Sequence, residues 1–154
     1  MDEKQHDRFQ TAIQWVADEK ARAMAGQPSR GFFHEQALWI RGVIGKAVRS
    51  KSGALYTEVC GTGGCVAGNI VCANGDTIIA LDYQPYRGKT YTHACQCMDE
   101  DGNVHNISER AAALAGINER EAARLFFQHN SRGQIIRIAQ DIAANHGRHL
   151  EVIE

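Results

Sequence analysis

The chain has 154 residues, with 17 Lys and Arg against 18 Asp and Glu and a formal net charge of −1. That length suits one domain, the even charge argues against a surface built to coat nucleic acid, and no stretch approaches the ~20 apolar residues that cross a bilayer. Leu, Ile, Val and Phe total only 32, but disorder also needs high net charge, and 21 alanines fill the apolar count and suggest closely packed helices.

In chain order, Phe9, Ile13, Val16, Ala17 and Met24 recur at helical spacing and predict a helix over about 8–24. Gly26, Pro28 and Ser29 break it. A second helix is expected over about 33–49, with Ile40, Val43, Ile44, Ala47 and Val48 as its stripe and Gly42 and Gly45 as weak points. Leu55 to Cys60 reads as a short strand. Thr62 then caps a short helix over 63–73, which Asn74-Gly75 stops. The β-branched run Thr77–Leu81 is a strand, and 84–89, with Pro85 and Gly88, a loop. Residues 90–100 and 103–107 form a hairpin closed by Asp101-Gly102 in a two-residue type I′ turn. Ser108 starts an alanine-rich helix that ends near Gly116. Asn118 with Glu121, and Ser131 with Gln134, have the spacing of capping boxes. The first precedes Leu125, Phe126 and Phe127; the second precedes the stripe Ile135, Ile138, Ala139 and Ile142, which ends at 145–147. Leu150, Val152 and Ile153 add a terminal strand or fray. Together these elements predict an α+β fold: a mainly helical single domain over 1–154 with a small antiparallel β-hairpin sheet.

Residues 1–7 are charged and hold no apolar segment, so no signal peptide is expected and the cytoplasm is the expected compartment. Thiols stay reduced there. Five cysteines, Cys60, Cys65, Cys72, Cys95 and Cys97, are an odd count that argues against a disulfide framework. If Thr62 is the cap, Gly63, Gly64 and Cys65 open a helix whose amides lower the thiol pKa, making Cys65 the best-placed nucleophile. The leading expectation is plainer: Cys60 and Cys65 are compact core residues at a strand-to-helix corner. One alternative is a cysteine-dependent hydrolase or transferase using Cys65 with His93. The order Cys65, His93, Asn106 is that of papain-like enzymes, but the expected hairpin register separates His93 from Asn106 by ~13 Å. Another is a zinc-stabilised binding module in which Cys95 and Cys97, sharing one strand face, join Cys60 and Cys65.

Most of the histidines (His6, His34, His93, His105, His129, His146 and His149) are expected in solvent. No His pair four apart flanks a carboxylate on a helix, and no nucleotide-binding glycine loop with its lysine is present. Trp15, Trp39, Phe126 and Phe127 fall on helical stripes and read as core, as does Phe32-Phe33. Four positive residues between Arg41 and Lys51 read as a solvated helix face.

The segment Cys60-Gly61-Thr62-Gly63-Gly64-Cys65-Val66-Ala67-Gly68 resembles a signature of small uncharacterised proteins of bacteriophages and bacteria: Cys-Gly-Thr, two variable residues, Cys, an apolar residue, Ala-Gly. Residues 111–126 are similar to the same family's alanine-leucine-glycine-leucine turn, which leads into a helix ending in Leu-Phe. The resemblance covers about 43–145 and leaves 1–40 as an N-terminal helical addition. Asn69 stands where the family usually has an aromatic. The resemblance supplies a structural motif of Cys60, Gly61, Thr62, Cys65, Ala67 and Gly68 and a phage-associated context, but assigns no catalytic residues; no cofactor is expected. The expectation is therefore an accessory protein that binds a protein partner in the bacterial cytoplasm without catalysis.

Overall fold

The computed structural model describes residues 1–24, 33–34, 40–64, 66–81 and 91–153, with side chains over 1–18, 47–56, 66–80 and 95–153. The expected break after Met24, the loop at 84–89, and Phe32, Trp39 and Cys65 lie outside the described residues. Among the described residues five helices appear: α1 (Glu3–Met24), α2 (Val66–Ala73), α3 (Ile107–Ala115), α4 (Glu119–Leu125) and α5 (Arg132–Asn145). Seven strands accompany them there: β1 (Phe33–His34), β2 (Ile40–Arg49), β3 (Leu55–Gly64), β4 (Thr77–Leu81), β5 (Tyr91–Ala94), β6 (Gln96–Met98) and β7 (Val104–Asn106). The fold is α+β, as the sequence pattern predicts.

The helix ends follow from local chemistry. Both expected capping boxes form: Asn118 and Glu121 exchange side-chain-to-backbone bonds at the start of α4, and Ser131 and Gln134 do so at the start of α5. Helix α3 begins slightly before Ser108, because the Asn106 carboxamide oxygen accepts from the backbone N–H of Ser108 at 3.0 Å and of Glu109 at 3.5 Å. At its other end Gly116 turns left-handed (φ 67°), and the N–H groups of Gly116 and Ile117 bond back to the carbonyls of Ala113 and Ala112. The same double bond pattern stops α2 at Gly75 and α5 at Gly147. Gln5 and Arg8 of α1 donate to the carbonyls of Ala113 and Leu114, so a neighbouring helix satisfies the end of α3.

The helix expected over 33–49 is instead strand β2, preceded by the short β1. Its β-branched residues favour a pleated strand. Each of its glycines would cost a helix about 1 kcal/mol. In the strand they fall at irregularities, since the register with β3 shifts between Arg41 and Gly42 and again between Ile44 and Ala47. The basic stretch from Arg41 to Lys51 thus lies on a strand and turn, not on a helix face. Strand β3 also runs past Cys60 to Gly64, pairing Gly63 with Arg41 of β2 and Phe33 of β1. Thr62 is therefore a strand residue and does not cap α2.

The sheet is larger than the expected hairpin. Its order is β5-β2-β3-β4-β6-β7, antiparallel throughout except for β1, which pairs parallel with β3. In a flat sheet β5 and β6 would lie four strand spacings apart, about 19 Å. Cys95 alone separates the two strands in sequence, and such a link reaches only about 7 Å. The sheet must therefore curl until its first strand meets its fifth.

The β6–β7 turn differs from expectation too. Met98 pairs with Val104, and the Asp99 N–H donates to the Asn103 carbonyl at 3.0 Å, leaving a three-residue loop, Glu100-Asp101-Gly102. The Asp99 carboxylate accepts from the N–H groups of Asp101 and Asn103 at 2.9 and 3.0 Å. That arrangement stabilises a turn in which Gly102 takes the positive φ (83°). A two-residue turn would have asked the same of Asp101. Cys97 consequently faces His105, not Asn106.

Two apolar clusters result from strand alternation. Ile78 and Cys97 face the helices and join the main core, in which Phe9, Ile13, Ile70, Leu125, Ile135 and Ile142 are almost fully buried. Ile79 and Met98, one residue on, face the other way and pack with Tyr56. Helix α1 is integral to the main core through Phe9, Ala12, Ile13 and Val16. Trp15 is half-buried. Phe127, expected in the core, is 54 % exposed, because α4 ends at Leu125, which takes the buried position.

The C-terminal segment neither joins the sheet nor frays. Leu150 is buried, and three α1 side chains one turn apart bond to alternate residues of the segment. His6 Nε2 lies 2.8 Å from the His149 carbonyl. The Gln10 carboxamide brackets the N–H and C=O of Glu151, and the Gln14 carboxamide those of Ile153. Four helical residues rise about 6 Å and two extended residues about 6.6 Å, so the two repeats match. Among the described residues no helix is long and apolar enough to cross a membrane.

Candidate functional site

The signature segment crosses from β3 into α2. Cys60 pairs with Val43 and Gly61 with Gly42 in the sheet, while Ala67 and Gly68 are buried in the first turn of α2. Asn69 is 1 % exposed; its Nδ2 donates to the Ala12 carbonyl at 3.4 Å. His93 lies on β5 opposite Arg41. Asn106 pairs with Gln96, three residues beyond His93 and roughly 10 Å along the strand direction. Its side-chain oxygen is already engaged as the α3 cap. The structure does not bring His93 and Asn106 together as a base and its orienting partner.

Cys95 and Cys97 do not share a face. Cys95 is exposed where the strand changes partners between β5 and β6, and Cys97 is fully buried. The face alternation expected of a continuous strand is interrupted there. Among the described residues no three His, Cys, Asp or Glu side chains converge as metal ligands would.

A buried polar cluster stands beside Cys97. Its thiol lies 3.6 Å from Asp76 Oδ2. Arg110 grips Asp76 with two bonds, Nε to Oδ2 at 2.8 Å and an Nη to Oδ1 at 3.2 Å. The Asn74 carboxamide donates to Asp76 Oδ1 at 2.7 Å. Burial, then the adjacent Asp76 carboxylate, pushes the Cys97 pKa up to about 12. A thiol held protonated is a poor nucleophile, so the cluster ties β4, β6 and α3 together and offers no attacking sulfur. On the hairpin, His105 Nε2 lies 2.8 Å from Asp99. That bond holds the Asp99 carboxyl down at about 2; burial acts the other way, and the turn amides of Asn103 and Asp101 reinforce the depression.

The sequence reading places most histidines in solvent, yet His105 and His146 are half-buried against carboxylates. His146 Nε2 sits 3.0 Å from both Glu121 oxygens. Burial pulls the Glu121 carboxyl upward, but the Asn118 N–H and His146 outweigh it and hold it below the ordinary range. Periodicity carries no signal for these pairs, which span six residues in one case and 25 in the other.

The α3–α4 pair carries an open groove of about 730 Å³. Gly116 ends the first helix, and the Asn118–Glu121 box starts the second. Half-buried Ala112 and Ala122 form the floor, the exposed Ala123 and half-buried Phe126 lie beside them, and Ser108, Glu109 and Glu119 line the rim. Alanines on both sides of a glycine turn are the sequence signal for such a surface. No family model matches the chain, and no curated protein or solved structure is detectably similar to it.

Proposed function

We propose that the chain is a small phage-associated accessory protein that binds a protein partner in the bacterial cytoplasm through its α3–α4 face. The phage context rests on the Cys-Gly-Thr-x-x-Cys-x-Ala-Gly resemblance. The binding face rests on one observation: the open groove floored by alanines, with the exposed Phe127 following Phe126. Apolar floor beside polar rim is the layout of recognition surfaces. The test is affinity capture from bacterial lysate with the native chain and with Ala123→Trp, which fills the groove at an exposed position. A partner retained by the first and lost with the second supports the reading. An identical set of captured proteins, or no specific capture, overturns it.

A further inference from the structure

Resting on that reading, we infer that the α3–α4 groove takes a basic amphipathic helix of the partner. The floor dictates the first half of this description. Ala112, Ala122 and Ala123 offer carbon surface without bulk, so a third helix can approach α3 and α4 closely and lay its own apolar ridge between theirs. A groove of about 730 Å³ accepts several side chains in a row, which a helix supplies at every third or fourth position.

The rim dictates the second half. Glu109 on α3 and Glu119 on α4 are both exposed, and no Lys or Arg is among the residues lining the groove. Of the arginines near them in sequence, Arg110 is bound to Asp76 and Arg124 Nη lies 3.2 Å from Asp141 on α5, while Arg120, next to Glu119, is exposed and does not line the groove. The groove lining therefore carries two acidic side chains and no basic one. A helix with Lys or Arg flanking its apolar stripe complements both carboxylates, and an acidic helix is repelled by both.

The test titrates the isotopically labelled full chain with two designed 14-residue amphipathic peptides. They share one Leu/Ala face and carry Lys flanks in one and Glu flanks in the other. The Lys peptide is expected to shift the amide signals of Ala112, Ala122, Ala123 and Phe126, and to bind at least tenfold more tightly than the Glu peptide. Glu109→Gln/Glu119→Gln should erase that preference and Glu109→Lys/Glu119→Lys should invert it. Glu100→Lys/Asp101→Lys, on the β6–β7 turn, should leave it intact. Equal affinity for both peptides, shifts centred elsewhere, or indifference to the rim substitutions overturns the inference. If lysate capture still depends on Ala123 while neither peptide binds, the occupant is not a basic helix, and the partner-binding reading stands without it.

Discussion

At the scale of single residues, Asp76 is the most demanding position in the molecule. Its side chain is 2 % exposed and rests on Arg110, Asn74 and the Cys97 thiol. Asp76→Ala strands a largely buried guanidinium, which should lower stability by about 3 kcal/mol in urea unfolding. The two hairpin cysteines should separate cleanly by reactivity. Iodoacetamide at pH 8 is expected to label Cys95 in the folded protein and to reach Cys97 only after denaturation, as peptide mapping by mass spectrometry would show. Asp99 gives a pH signature. Its folded pKa, about 2 against an ordinary 3.8, means that it stabilises the fold fully above the ordinary value. That contribution fades as pH falls from about 4 to about 2. Asp99→Asn should therefore reduce stability at pH 7, flatten the acid limb between those values, and converge with the native protein below it. A native-sized acid limb in the variant would show that another carboxyl carries the effect.

At the scale of elements, legibility tracks how local the determining chemistry is. Strand β4, both capping boxes and the glycine stops of α2, α3 and α5 are set by residues a few positions apart, and the sequence shows them plainly. The stretch 40–49 is ambiguous from periodicity alone, since Ile40, Val43, Ile44 and Val48 satisfy a helical stripe as well as a bulged strand. Pairing with β3 and β5, settled by residues up to about fifty positions away, decides it. The β6–β7 turn fails for a different reason. Asp-Gly favours a type I′ turn in isolation, but Asp99 sits just upstream and its carboxylate captures two amides of a longer loop. The groove is half legible: alanines flanking Gly116 are visible in the sequence, while the outward direction of Glu109 and Glu119 is a tertiary outcome.

At the scale of the whole molecule, the one-residue link at Cys95 couples the first strand of the sheet to its fifth. Strand β5 is fixed by β2 and β6 by β4, so neither can slide. A glycine inserted beside Cys95 would move β6 by one position and send Cys97 to the opposite face. The insertion should abolish cooperative thermal unfolding followed by circular dichroism. The same glycine inserted between Glu100 and Asp101 extends a solvent loop and should cost no more than about 1 kcal/mol. Equal tolerance at both places would mean that the sheet does not close there.

Because His6, Gln10 and Gln14 address only main-chain atoms of the final extended segment, they are blind to what its side chains are. Leu150 is buried and Val152 packs half-buried against the core, so shape constrains both; positions 151 and 153 can be rewritten freely so long as they are not proline, which lacks the hydrogen that Gln10 or Gln14 receives. The clasp should also write an every-other-residue pattern into hydrogen–deuterium exchange, slow at Glu151 and Ile153 and faster at Val152 between them. Gln10→Ala should erase the first slow amide and spare the second.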